Sequence, residues 1–327
     1  MKRDSDISHG GGRIAAPARI MTGWRPEHSE LWGRHPVCIN HSLPETGLFT
    51  DEALAGLIEN YPREHHDFLH MGEQGVHKKL WSEGEIGGAS GKTVLEAIRQ
   101  GRLWLNLRRV HEVDSRYGDL LAQMFEELES LVPNFSTYKH NFGILISSPK
   151  AQVYYHADIP GQSLWQIRGE KRVYVYPNYA PFLPEPDMER VILGEIEEDI
   201  PYEPWFDDYA QVFTLKPGEM LNWQLNAPHR VENLDCVNVS VTTEHWTDDI
   251  RNMYAIRYAI ALLRSRFGVS PPLPFTHGPA FWAKAALAAG VKKSGLLKRF
   301  RYDREVTWKL DPKAASKMSP LAEPYHR

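Results

Sequence analysis

Between His140 and Thr243 the chain breaks into short β-branched or aromatic runs divided by turn residues, and this rhythm limits what it can fold into. The first four runs are His140 to Ser147, Gln152 to His156, Ser163 to Arg168 and Arg172 to Tyr176, interrupted by Ser-Ser-Pro-Lys, Ile-Pro-Gly and Gly-Glu turns. The pattern resumes in Gln211 to Leu215, Glu219 to Gln224, His229 to Asn233 and Val237 to Thr243. About eight strands of this length fill a small closed or double-sheet structure, so the expected fold is mainly β, with a double-stranded β-helix (jelly roll or cupin) core.

Within that pattern, His156 and Asp158 stand two residues apart in Tyr155-His156-Ala157-Asp158, and His229 opens the seventh run. Residues i and i+2 of a strand project from one face, so the first pair can converge on one ion. The second histidine must come from a strand brought alongside. Two histidines and a carboxylate then occupy one face of an octahedral ion and leave the other open, as in the facial triad of a non-haem Fe(II) oxygenase.

Downstream, Gln166-Ile167-Arg168-Gly169-Glu170-Lys171-Arg172-Val173 follows the His-x-Asp pair. The ligands, this stretch and the strand order together resemble the cupin-like and JmjC-type 2-oxoglutarate oxygenases, nearest the asparaginyl hydroxylase branch, over roughly Tyr138 to Trp246. The resemblance implies Fe(II) held by His156, Asp158 and His229, and 2-oxoglutarate as co-substrate with its distal carboxylate on Lys171. It also implies oxidative decarboxylation to succinate and CO2, coupled to oxidation of a substrate. Val231 to Asp249 contains no Arg or Lys, so the alternative anchor used by other such oxygenases is missing here. Gln162 stands where the branch places an asparagine, and Tyr154, sharing the parity of His156, is the expected additional hydrogen-bond donor to the co-substrate. Two other readings stay open: a cupin-type metal enzyme that uses no 2-oxoglutarate, and a non-catalytic ligand-binding barrel.

Several features are read as structural. Gly87 to Thr93 lacks the first glycine of a phosphate-binding loop, and Ser90 instead caps a helix that Gly101 ends. His65-His66 is expected to face solvent. Tyr154, Tyr155, Tyr174 and Tyr176 are read as sheet-packing residues before catalytic ones, and His245 as packing at the core or rim.

The chain has 327 residues, a formal charge of -4 and two cysteines, Cys38 and Cys236. That charge argues against a nucleic-acid or anionic-membrane surface, and two isolated cysteines against a disulfide framework. With so few cysteines the cytoplasm is the expected location, and no run is long and apolar enough for a membrane span. Residues 1–24 read as a disordered lead, 25–135 as helices and loops packing on the barrel, and 136–247 as the catalytic core with an insert at 178–209. Residues 248–327 read as a helical region. Leu103 to Arg109 is an edge strand, a cleft rim or plain packing; the acidic, aromatic insert is a lid or a solvated loop. Asp248 to Phe267 forms an amphipathic helix whose apolar face either covers the barrel or makes a homodimer, and Ala280 to Phe300 a helix with a basic end. The substrate class, small molecule or protein, stays open.

Overall fold

A computed structural model describes residues 19–72, 81–197, 200–268, 278–294 and 304–327. Its helices are α1 (Pro26–Leu31), α2 (Asp51–Glu59), α3 (Gly91–Gln100), α4 (Val110–Val113), α5 (Ser115–Leu131), α6 (Glu185–Leu193), α7 (Asp248–Phe267) and α8 (Pro279–Ser294). The strands before the barrel are β1 (Val37–Asn40), β2 (His66–His70), β3 (Ser82–Glu85) and β4 (Leu103–Leu107). The barrel strands are β5 (Tyr138–Ser147), β6 (Gln152–His156), β7 (Gly161–Arg168), β8 (Lys171–Val175), β9 (Gln211–Leu215), β10 (Glu219–Asn222), β11 (His229–Asn233) and β12 (Asn238–Trp246). Two more, β13 (Glu305–Leu310) and β14 (Met318–His326), close the chain.

The strands form a ten-stranded sheet ordered β1-β10-β7-β12-β5-β4-β2-β3-β13-β14 and a four-stranded sheet ordered β6-β11-β8-β9. From β5 to β12 the chain divides its strands equally between the sheets, and the expected double-stranded β-helix is present. Leu164, Val173, Val175, Leu215, Leu221, Trp223 and Val231 fill the space between the two sheets. The other face of the large sheet is covered by helices: Leu54 and Ile58 of α2, Val94 and Ile98 of α3, and Leu120, Met124 and Leu128 of α5 pack with Ile144, Ile146, Val239 and Val241. Each such side chain contributes about 1.5–3 kcal/mol when buried. Local signals set the helix starts, since Thr50 and Ser90 accept from Ala53 N and Thr93 N, and Asp114 accepts from Arg116 N.

Outside the barrel the fold departs from what the sequence leads one to expect. Residues 25–135 contribute β1 to β4 besides helices, and Leu103 to Leu107 lies inside the large sheet between β2 and β5, not at its edge. His66 is buried on β2, its ring donating from Nδ1 to Pro62 O at 3.1 Å, because the β2 ladder carries it inward. Of the expected disordered lead, residues 1–18 lie outside the described residues, whereas Ile20 and Met21 are in the core and donate to the Glu127 carboxylate on α5. The C-terminal region is not wholly helical: β13 pairs in parallel with β3 and carries β14 on its far side. Residues 295–300, the expected basic helix end, lie outside the described residues.

The insert is folded. Its Pro184-Glu185-Pro186 stretch starts α6, the prolines occupying first-turn positions where no amide hydrogen is needed. Met188, Val191 and Ile192 of α6 pack with Tyr155, Tyr176, Phe182, Phe206 and Tyr258. Helix α7 keeps the expected bounds, but Ile256 and Ile260 are buried within the chain, where α7 runs beside α6 and α8. Of the two roles expected for this face, Ile256 and Ile260 fit the one in which it packs within its own chain.

Candidate metal centre

His156 ends β6 and His229 begins β11, and the two are register partners in the small sheet. Asp158 lies just beyond β6, and one ligand atom from each of the three residues falls within 4.8 Å of the others. His156 Nδ1 donates to Tyr154 O at 2.7 Å and His229 Nδ1 to Ala227 O at 3.1 Å. Both bonds fix the tautomer that leaves Nε2 with a lone pair for an ion. Burial, and then the neighbouring His156, hold the His229 imidazole well below its ordinary pKa, so it is neutral. The 3.3 Å approach of its Nε2 to Asp158 Oδ2 is consequently a convergence of two atoms able to ligate a metal, not an ion pair.

Asn226 holds together the segments that carry Asp158 and His229. Its side chain donates from Nδ2 to Asp158 O at 2.6 Å, and its Oδ1 accepts from Arg257 of α7 at 3.2 Å. The backbone there is left-handed, with φ 59°, which asparagine tolerates better than most residues. The Asn-Ala-Pro turn before His229 was visible in sequence, but this bridging role needed the partner segment.

A β-bulge breaks the β6 ladder, because His156 opposes His229 while Val153 opposes Val231. The extra residue puts Val153, Tyr154 and His156 all on the wall of one cavity of about 770 Å³. Tyr154 lies against His156 at 5.4 Å between ring centroids and against Trp81 at 4.9 Å, and Trp81 in turn lies 5.3 Å from Trp104. The opposite wall is the large sheet, where Asn141, Gln162 and Glu244 form a cross-strand row on β5, β7 and β12. Burial raises the Glu244 carboxyl, while a hydrogen bond from Asn141 opposes the shift.

Lys171 does not line that cavity. It is buried at the opposite end of the barrel on β8, paired with Asn233 of β11. Burial pulls its ammonium down to about 7, with the Cys236 thiol acting the other way, and among the described residues no carboxylate pairs with it. His229 and Asn233 are four residues apart on one strand, about 13 Å at 3.3 Å per residue. A lysine side chain and a five-carbon diacid together bridge that distance.

The remaining wall comes from β4, for which a cleft rim was one expected role, from the insert, for which a lid was one, and from β13, which sequence did not connect with the site. Trp104 and Asn106 of β4, Val191 and Ile196 of the insert, and Thr307 of β13 all face the cavity. Arg304 bridges the insert to the large sheet, reaching Glu197 at 3.3 Å and Asp67 at 3.0 Å, and Arg327 joins Asp67 and Glu83. His245 is buried against Phe125 and Phe135, as expected for a packing residue.

Fold and site together describe a double-stranded β-helix with two histidines and a carboxylate converging at one end. No protein-family model matches the chain, and no curated protein matches it. Among solved structures it is similar to Escherichia coli ycfD at 17% identity, with 86% of this chain and 70% of that chain covered and a TM-score of 0.48. It is also similar to the E. coli ribosomal oxygenase YcfD in complex with cobalt and 2-oxoglutarate, again at 17% identity, with 86% and 69% covered and a TM-score of 0.45. Likeness at this level brings no chemistry to the present chain, whose own residues must supply it.

Proposed function

We propose that the protein is an Fe(II)- and 2-oxoglutarate-dependent oxygenase, acting as a hydroxylase. One observation carries the reading: two imidazoles and one carboxylate converge within 4.8 Å, in the ligand set of a facial triad. His156, Asp158 and His229 would hold Fe(II), and the unoccupied face of the ion would supply activation of O2 at the expense of the keto acid. Lys171, buried without a carboxylate partner, suits the distal carboxylate of a diacid reaching down the barrel. Gln162 and Tyr154 present polar groups along the same path. The aromatic wall of Tyr154, Trp81 and Trp104 excludes water beside the ligands, and the cavity has room for part of a substrate as well.

Anaerobic titration with Fe(II) and then 2-oxoglutarate tests this directly. A visible charge-transfer band, followed by succinate formation on admitting O2, is the expected result. Absence of both would refute the proposal. A cupin-type enzyme using the same triad without a keto acid is favoured by one observation, that Lys171 stands off the cavity wall. Such an enzyme would bind Fe(II) but give no band with 2-oxoglutarate. The substrate is a small molecule or a protein side chain, with no nucleic acid. Free Cys38 and Cys236 suit the cytoplasm, and no described helix is long and apolar enough to cross a membrane.

A further inference from the structure

Lys171 is buried on β8 with 3% exposure, and among the described residues no carboxylate pairs with it. A lone ammonium in an apolar interior is costly to keep, so an anion that reaches it is held strongly. By strand parity it shares the inner face of β8 with Val173 and Val175, which fill the barrel. The residue before it meets a cysteine. Glu170 N donates to Cys236 Sγ at 3.2 Å and Asn238 Nδ2 donates to the same sulfur at 3.7 Å, while Sγ itself faces Glu170 O at 3.7 Å. Cys236 is half-buried in the turn from β11 to β12, and its thiol is the titratable group that acts on the sealed Lys171 ammonium.

The two cysteines of the chain stand in opposite surroundings. Burial, and then Glu219, push the Cys38 thiol up to about 11, so it stays protonated and unreactive at neutral pH. Cys236 has two amide donors on its sulfur and a cation nearby, the electropositive and partly exposed setting in which cysteines are oxidised selectively.

We propose that Cys236 is a peroxide-oxidised site whose sulfinate pairs with the Lys171 ammonium and closes it to a dicarboxylate. The effect on 2-oxoglutarate rests on the function proposed above; the oxidation and the ion pair do not. A hydroperoxide is the oxidant. With hydrogen peroxide, the thiolate sulfur attacks one oxygen, an S–O bond forms as the O–O bond breaks, and the leaving hydroxide takes a proton to become water. A second equivalent repeats the step on the sulfenic acid and yields sulfinic acid and another water. Sulfur loses two electrons in each step and one peroxide is reduced. The sulfinic acid ionises at neutral pH, so a fixed anion then occupies the place of a neutral thiol. Glu170 N and the Asn238 amide already point at that place and would donate to its oxygens. Once its charge is matched from the turn, Lys171 has less to offer a carboxylate arriving down the barrel.

The test treats the full chain, free of metal, with hydrogen peroxide, and maps the products by mass spectrometry of intact protein and peptides. Cys236 should gain two oxygens before Cys38 gains any. After removal of peroxide and anaerobic loading with Fe(II), 2-oxoglutarate affinity by calorimetry should be lower about tenfold or more, with Fe(II) affinity unchanged. Cys236→Ser should bind 2-oxoglutarate like the reduced wild type and be indifferent to peroxide, whereas Cys236→Asp should reproduce the loss without it. NMR titration of lysine labelled at Cε reads Lys171 with no co-substrate present, and oxidation should move its titration to higher pH. Oxidation of Cys38 in preference to Cys236 overturns the proposal, as does an oxidised Cys236 that leaves the Lys171 titration where it was. A reduced wild type that binds Fe(II) but no 2-oxoglutarate overturns the proposed function instead, and the lysine titration then decides the ion pair alone.

Discussion

His156 and His229 face each other across the β6–β11 ladder with ring centroids 4.1 Å apart, although they belong to the second and seventh strands of the barrel. Two imidazoles this close repel each other when both are protonated, and the Asp158 carboxylate lies beside them.

Substituting His156, Asp158 or His229 with Ala should therefore abolish stoichiometric Fe(II) binding while leaving the fold intact. Metal analysis after anaerobic loading reads the outcome. Fe(II) at a hundred times its dissociation constant should stabilise the wild type by about 2.7 kcal/mol and none of the variants.

Lys171→Met, which preserves volume, should weaken 2-oxoglutarate binding by about 1.5 to 3 kcal/mol and spare Fe(II) binding. The unfolded chain keeps this lysine protonated up to 10.5, whereas the folded protein without co-substrate releases the proton near 7. Between those limits the unfolded state holds more protons, so stability rises with pH there, and the variant should flatten that slope. The paired ammonium must regain its proton, so 2-oxoglutarate affinity should fall about tenfold per pH unit above 7. Calorimetry in buffers of different ionisation enthalpy detects the proton uptake.

Asn226→Ala removes the bridge between the Asp158 and His229 segments and puts a less tolerant residue at positive φ. Fe(II) affinity should drop about 10- to 100-fold, the usual cost of losing a group that orients ligands. Arg257→Ala should produce a smaller loss in the same titration.

Gly84→Ala should detach the C-terminal hairpin. A Cβ there would sit 2.4 Å from the Trp308 ring, in the β3–β13 pairing that carries Thr307 to the cavity. Limited proteolysis should cut after β3 is freed from β13, with a stability loss of about 1 to 3 kcal/mol and unchanged Fe(II) stoichiometry.

Ile256→Ala and Ile260→Ala should each cost about 2 to 4 kcal/mol without altering the molecular mass, because the side chains fill the chain's own interior. A change of mass with an unchanged melting curve would return this face of α7 to an interface.

The barrel was legible because its strands alternate cleanly and Pro, Gly and Asn mark each turn, so residue order alone puts His156 and His229 on strands that must come together. The added strands were not. Ser82-Glu83-Gly84-Glu85 shows no apolar alternation, and its pairing partner lies at the far end of the chain. Met318 to His326 contains two prolines that argue against a strand anywhere except at an edge, where it is found. Tyr154 lies on the His156 wall as their shared parity requires, yet Val153 shares that wall too, which strict alternation forbids. Trp81 and Thr307 carried no local signal, because their place at the cavity depends on sheet order alone.

The extra residue in β6 changes how that strand can vary. Below it, Val153 keeps step with the apolar filling of the barrel; above it, His156 keeps step with Asp158 and His229. The two halves of one short strand thus obey different phases, and a single irregularity reconciles them. Deleting one residue between them, an accident that most surface loops absorb, would rotate either the packing or the chemistry out of the barrel.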